Sequence, residues 1–283
     1  MPTVTLRRNI GKPSNLWEIR PYWIERGLRA AIVPMGGKIV DLLNPSIKFT
    51  RQGAVSRSVT PFGDAFYNAG TGTNGDRIDA SYPTPISMRA TTQRHTQLIQ
   101  FVWVGGNPGT GYEALAQCGG GNTSGNWSFS EDGGYSFGFG YRANGFQNNL
   151  TLGVVTNGLI TLTGGVDSTL GECFGWMNGV AAATQGGLSL QLGSQDYVVL
   201  LNNTSVNRPS NSHFLSLLKF DSRLSDAEAA ALQGPMLMRE LLRPAVRRIY
   251  FDMGAGAAVP TLSALTASQI TTSGARHSLT LTF

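Results

Sequence analysis

Between about residues 26 and 252, short apolar runs return roughly every 8 to 12 residues, with Gly and Asn turns between them. Residues 98–104, 150–155, 188–192 and 197–201 are examples. Runs this short and this often interrupted cannot carry a helical stripe, but each can form a strand that is buried on one or both faces. Tyr135, Phe137, Phe139 and Tyr141 alternate with Ser136, Gly138 and Gly140, so four aromatics project from one strand face. An exposed row of this kind could stack on sugar rings, but such rows usually fill the inside of a sandwich, where the glycines let the opposite face pack closely. The expectation is an all-β protein, a β-sandwich. Apolar residues make up 41% of the 283-residue chain, enough for a core of that kind. Charged residues make up 14% and there are 36 glycines, which suits either a surface partly covered by sister subunits or an ordinary glycine-rich β-protein.

One segment is written differently. Ser225 and Glu228 have the S-x-x-E spacing of a capping box, residues 227–232 favour helix, and Gly234-Pro235 stops it. This predicts one short helix near 225–233. The stretch 220–228, FDSRLSDAE, followed by Leu242-Arg243-Pro244 and Arg247-Arg248-Ile249-Tyr250-Phe251, resembles the closing signature of laminin-G-like, concanavalin-A-like jelly rolls. In particular it is similar to those of tailed-bacteriophage virion proteins. Weaker matches run in the same order upstream, including Arg26-Gly27-Leu28, Gly63-Asp64-Ala65-Phe66, Asp76-Arg77-Ile78-Asp79, residues 101–104 and Asn178-Gly179. The resemblance implies a concanavalin-A-like sandwich with no cofactor. It further implies a non-enzymatic structural protein on the outer surface of a virion, decorating the head or belonging to the tail and made in a bacterial cytoplasm. The mid-domain Trp-His strand of many members is absent, so no ligand site carries over.

Three regions follow: an N-terminal arm at 1–25, broken by Pro13 and Pro21; the sandwich at 26–252; and a hinge with a strand-bearing tail at 253–283. The net charge of +5 is concentrated at the two ends. Arg7, Arg8, Trp17 and Trp23 in the arm, Arg247 and Arg248, and Leu279, Leu281 and Phe283 in the tail are the expected assembly contacts. Arg forks pair with carboxylates, and an alternating strand must add to a sheet, either its own or a neighbour's. The expected partners are phage capsid or tail proteins and further copies of the chain. The basic residues are interleaved with Trp17, Tyr22, Trp23 and Tyr250, a pattern that nucleic-acid binders share, but arms that pair with carboxylates are the preferred reading and nucleic acid is disfavoured.

Other motifs give way to plainer readings. Gly70 to Gly75 fits G-x-G-x-x-G but leads into Pro83 without a helical period, so it reads as a turn. Asn74, Asp76 and Asp79 offer too few oxygens for calcium and read as turn-formers, so no metal site is expected. Cys118 and Cys173 match no metal spacing, and a bridge between them is disfavoured. Glu113, Glu131, Asp132 and Glu172 are scattered, and the three histidines lie far apart, so no catalytic set is expected. No apolar run reaches secretory or membrane-spanning length, so no membrane partner is expected. The alternative reading is a carbohydrate-binding module that touches a host glycan. Trp127 and Trp176, beside Asn and Gly turns, are its candidate stacking platforms.

Overall fold

In the computed structural model, Phe137, Phe139 and Tyr141 are fully buried, and all three belong to one core that both faces of a sandwich share. The structure describes residues 17–68, 76–83, 88, 94–105, 113–118, 126–132, 136–143, 146–182, 184–187, 196–202, 210, 212–244, 247–251, 269–273 and 276–281. Tyr135, the turn at 70–75 and the run at 188–192 lie outside these residues.

One sheet has seven strands in the order β12 (Phe146–Val154), β11 (Ser136–Ala143), β10 (Trp127–Asp132), β9 (Glu113–Cys118), β17 (Tyr197–Leu200), β7 (Arg77–Ser81) and β4 (Thr50–Gln52). The facing sheet runs β15 (Val180–Ala181), β14 (Glu172–Met177), β13 (Gly158–Asp167), β8 (Arg94–Trp103), β18 (Ser212–Phe220), β2 (Leu28–Met35) and β3 (Lys38–Asp41). Strand β16 (Gln185–Gly186) pairs with β14, and the hairpin of β5 (Val55–Thr60) and β6 (Gly63–Asn68) joins β18 through β6. The described pairings are antiparallel, as a jelly roll requires. The sheets meet where glycine faces aromatic: a Cβ on Gly164 would overlap the Phe139 ring, and one on Gly175 would overlap Leu152. Phe137 lies edge-on to both Phe101 and Trp103 of the other sheet, with ring centroids 5.4 Å apart in each case.

The outer face of the larger sheet is covered by α2 (Asp226–Ala231), a 3-10 turn at Gly234–Met236 and α3 (Leu237–Leu241). After the Leu232 cap the chain is extended at Gln233, and Gly234 opens the 3-10 turn at a φ of 56° with little steric cost. Gln100 donates to Gly234 O, and Phe174 and Trp176 pack against Ala229. The sequence reading anticipated α2 but not α3, which follows a Gly-Pro pair that reads as a stop.

The chain divides into two compact units, residues 21–241 and residues 1–20 with 242–283. These boundaries differ from the expected ones. Helix α1 (Pro21–Glu25) belongs to the first unit, where Trp23 is buried, donates Nε1–H to Glu240 O at 2.8 Å and lies edge-on to Phe220. Trp23 is thus a packing residue of the sandwich, which corrects its expected role in assembly. In the second unit β1 (Trp17–Ile19) pairs with β19 (Leu242–Pro244), and Trp17 lies opposite Pro244. Strand β22 (Arg276–Leu281) sits between β20 (Arg247–Phe251) and β21 (Gln269–Ser273). The tail strand therefore finds its partners in its own chain, in a separate small sheet. Arg247 lies opposite Leu281, Arg248 opposite Thr280 and Ile249 opposite Leu279. Arg7, Arg8, Phe283 and the hinge at 254–258 lie outside the described residues.

The capping box forms as its spacing predicts. Ser225 Oγ accepts from Glu228 N, and the Glu228 carboxylate accepts from Ser225 N at 2.8 Å. Glu228 also accepts from Tyr22 OH at 2.7 Å and from both Nε and Nη2 of Arg26, tying α2 to the start of the sandwich. Burial opposes ionisation of Glu228, yet the bonds from Arg26, Ser225 and Tyr22 outweigh it and hold the carboxyl at about 2. A carboxyl depressed on folding stabilises above its ordinary range and loses that contribution as pH falls through the folded value. Glu228→Gln should therefore cost about 1 to 2 kcal/mol at neutral pH. The gap to wild type should close between roughly pH 5 and pH 2, as read by urea unfolding across that range. Gly164→Ala should cost about 1 to 3 kcal/mol in the same assay, because Phe139 has nowhere to move.

Candidate functional site

Asp41 ends β3 with its carboxylate fully buried. Oδ1 accepts from the N–H groups of Ala31 and Leu43, each at 3.0 Å, and Oδ2 accepts from Asn44 Nδ2 at 2.7 Å and Tyr82 OH at 3.1 Å. Burial and the neighbouring Asp41 charge push the Tyr82 phenol up, so it stays a donor. These four bonds set the path of residues 42–49. Ile47 N–H closes a turn on Asn44 O, and Ile47 and Phe49 pack against the core, with Phe49 edge-on to Tyr82.

The remaining side chains of that segment, Ser46, Lys48 and Thr50, are exposed and line one wall of an open cleft of about 490 Å3. The other wall is Asp79 and Ser81 of β7 and Tyr197 of β17. Strand register explains why they converge: Thr50 lies opposite Asp79 and Tyr197 opposite Ser81, while the alternate residues Ile78 and Ala80 point into the core. The Asp79 carboxylate is held by Gln52 Nε2 at 2.7 Å and Arg77 Nε at 3.1 Å. Lys48 makes no ion pair among the described residues. The cleft thus offers an aromatic ring, hydroxyls that donate and accept, a fixed carboxylate and a free ammonium. That set suits a hydroxyl-rich ligand.

Of these residues the sequence reading weighs Asp79, with Asn74 and Asp76, against calcium and takes it as a turn-former. Its carboxylate is instead used by Gln52 and Arg77, while Asp76 Oδ1 accepts from Ala54 N at 2.8 Å. Asn74 lies outside the described residues, among which no His, Cys, Asp and Glu cluster could hold a metal. The stacking platforms need correction. Trp127 is 1% exposed and donates Nε1–H to Met88 O at 2.8 Å; Trp176 is 3% exposed beneath α2 and donates to Asp226 Oδ1 at 2.9 Å. Neither presents a ring face to solvent.

The scattered carboxylates also change meaning. A bulge between Phe129 and Ser130 brings Glu131 directly opposite Glu113 across β10 and β9, and both are fully buried. A pair sealed inside the sandwich has no surface to offer a glycosidic bond. His95 is sealed as well, its Nδ1 2.7 Å from Gln97 Nε2, and burial beside Lys219 keeps it neutral down to about 3. Cys118 and Cys173 are buried with no disulfide between them, and burial pushes the Cys173 thiol up to about 12.

No family model matches the sequence, and no curated protein does. Solved structures match the fold. The binding domain of Paraclostridial Mosquitocidal Protein 1 superposes with TM-score 0.60 at 14% identity, over 73% of this chain and 51% of that one. The binding domain of botulinum neurotoxin serotype G gives TM-score 0.60 at 14% identity, over 72% and 50%. A structure of botulinum neurotoxin type C, whose cell entry is described as dependent on two ganglioside molecules, gives 0.59 at 11% identity, over 75% and 52%. The chain spans about half the length of these proteins. The chain is an all-β jelly-roll sandwich of the kind these binding domains carry. The sandwich implied by the closing segment is therefore present, whereas its virion assignment draws no support from these structures.

Asp41→Ala should cost about 3 kcal/mol or more, because Ala31 N–H, Leu43 N–H and Tyr82 OH lose a shared buried acceptor. Chemical denaturation measures this, and faster amide exchange over residues 42–49 should accompany it.

Proposed function

We propose that the chain is a non-enzymatic binding module that takes carbohydrate of a cell surface into the cleft between Lys48 and Tyr197. The observation that carries this reading is the open juxtaposition of Tyr197 with Ser81, Thr50, Asp79 and Lys48. A sugar ring has an apolar face that rests on an aromatic ring and a rim of hydroxyls that needs both donors and acceptors. Asp79 is already oriented by Gln52 and Arg77, so little side-chain freedom is lost when a ligand arrives. The likeness in fold to toxin binding domains, one of them described with gangliosides, supports the same reading. Sealing of the carboxylate pair and of His95 argues against catalysis.

A glycan array should return a defined set of oligosaccharides, and titration calorimetry should then show Tyr197→Ala and Asp79→Ala weakening the best of them about tenfold each. An array without signal, or affinity unchanged in both variants, sinks the assignment to this cleft.

A further inference from the structure

Two turns lie against each other at one corner of the larger sheet. One joins β2 to β3 at Gly36-Gly37, and the other joins β5 to β6 at Pro61-Phe62. A single carboxylate links them: Asp64 Oδ2 accepts from Gly36 N–H at 3.1 Å, and Asp64 Oδ1 accepts from Arg57 Nη2 at 2.8 Å. Around this link Met35, Val59 and Phe62 are 50%, 74% and 44% exposed, and Pro61 is exposed beside them. The polar groups of the tip are satisfied from within, since the Thr60 hydroxyl accepts from Phe62 N–H and donates to Gly63 O, both at 3.2 Å. Lys38, the cross-strand partner of Met35, is exposed and makes no ion pair among the described residues, while the Arg57 guanidinium lies against Gly37 and is paired with Asp64.

We propose that this corner is a lipid-contacting tip that seats Phe62, Val59 and Met35 at the headgroup–acyl boundary of an anionic membrane. Exposed apolar residues gathered in this way mark an interaction surface rather than ordinary scatter. Their setting selects the partner. Two hairpin turns form a protrusion, which suits a deformable medium better than the groove a peptide or helix would need. Backbone groups enter an apolar phase cheaply only when already hydrogen-bonded, and Thr60 and Asp64 provide that here. Lys38, exposed beside Met35, then supplies the cation that an anionic headgroup phosphate attracts. Among the described residues no helix is long and apolar enough to cross a membrane, so the contact is peripheral. The sequence-based expectation of no membrane partner rested on spanning length alone and does not bear on it.

The test is co-sedimentation of the full chain with vesicles of phosphatidylcholine containing phosphatidylserine, and with vesicles of phosphatidylcholine alone. The wild type should bind the mixed vesicles more tightly. Val59→Ser with Phe62→Ser should lower that binding about tenfold or more, with Phe62→Leu close to wild type. Lys38→Gln should reduce the preference for phosphatidylserine. Thermal melting should be unchanged in all three, and Phe62→Ser alone replaces the double variant if that one melts early. Three results would overturn the assignment: no binding of the wild type to either vesicle, equal binding of the serine variant, or a wild-type dimer without vesicle binding that the serine variant dissolves. The last would make the corner an interface between copies of the chain.

Discussion

Phe139 fills the space that Gly164 leaves empty, and the sandwich closes around that exchange. Two facing sheets ordinarily stand about 10 Å apart, with side chains of both interleaved between them. Here an aromatic row on β11 reaches the opposing sheet, where Gly164 on β13 receives Phe139, and Gly175 on β14 receives Leu152 of β12. Once this spacing is set, the outer faces acquire distinct fates. The larger sheet is roofed by the capped helix and its 3-10 extension over Phe174 and Trp176, while the edge at β4, β7 and β17 is left open.

That open edge becomes a recess because of Asp41. Its buried carboxylate gathers two backbone amides, an amide side chain and a phenol, which turns the chain after β3 and lays Ile47 and Phe49 on the core. The polar residues between them are left facing Tyr197. A recess of this kind is a by-product of packing: the apolar half of the segment fixes where the polar half must stand. The cleft and the apolar corner differ in chemistry, one lined by hydroxyls and charges, the other by Met35, Val59 and Phe62.

Much of the fold was legible from residue order, because strand alternation and the capping box are local. Phe137, Phe139 and Tyr141 point inward as their spacing demands, and Ser225 and Glu228 cap their helix. What escaped was set by pairing between distant segments. Glu113 meets Glu131 through a bulge, and Thr50 meets Asp79 and Ser81 meets Tyr197 through registers that no local pattern encodes. Trp127 and Trp176 misled for a related reason. Turn-rich flanks placed them near loops, yet each indole N–H found an acceptor from another element, Met88 O or Asp226. Helix α3 escaped because Gly234-Pro235, which stops α2, also begins the next turn.

Cys118 and Cys173 carry a last consequence. Both thiols are enclosed, and burial keeps Cys173 from offering the thiolate on which oxidation and disulfide exchange depend. The sandwich is held by interleaved side chains with no covalent staple between these cysteines. The packing of this core therefore draws nothing from a bond that a reducing medium could break.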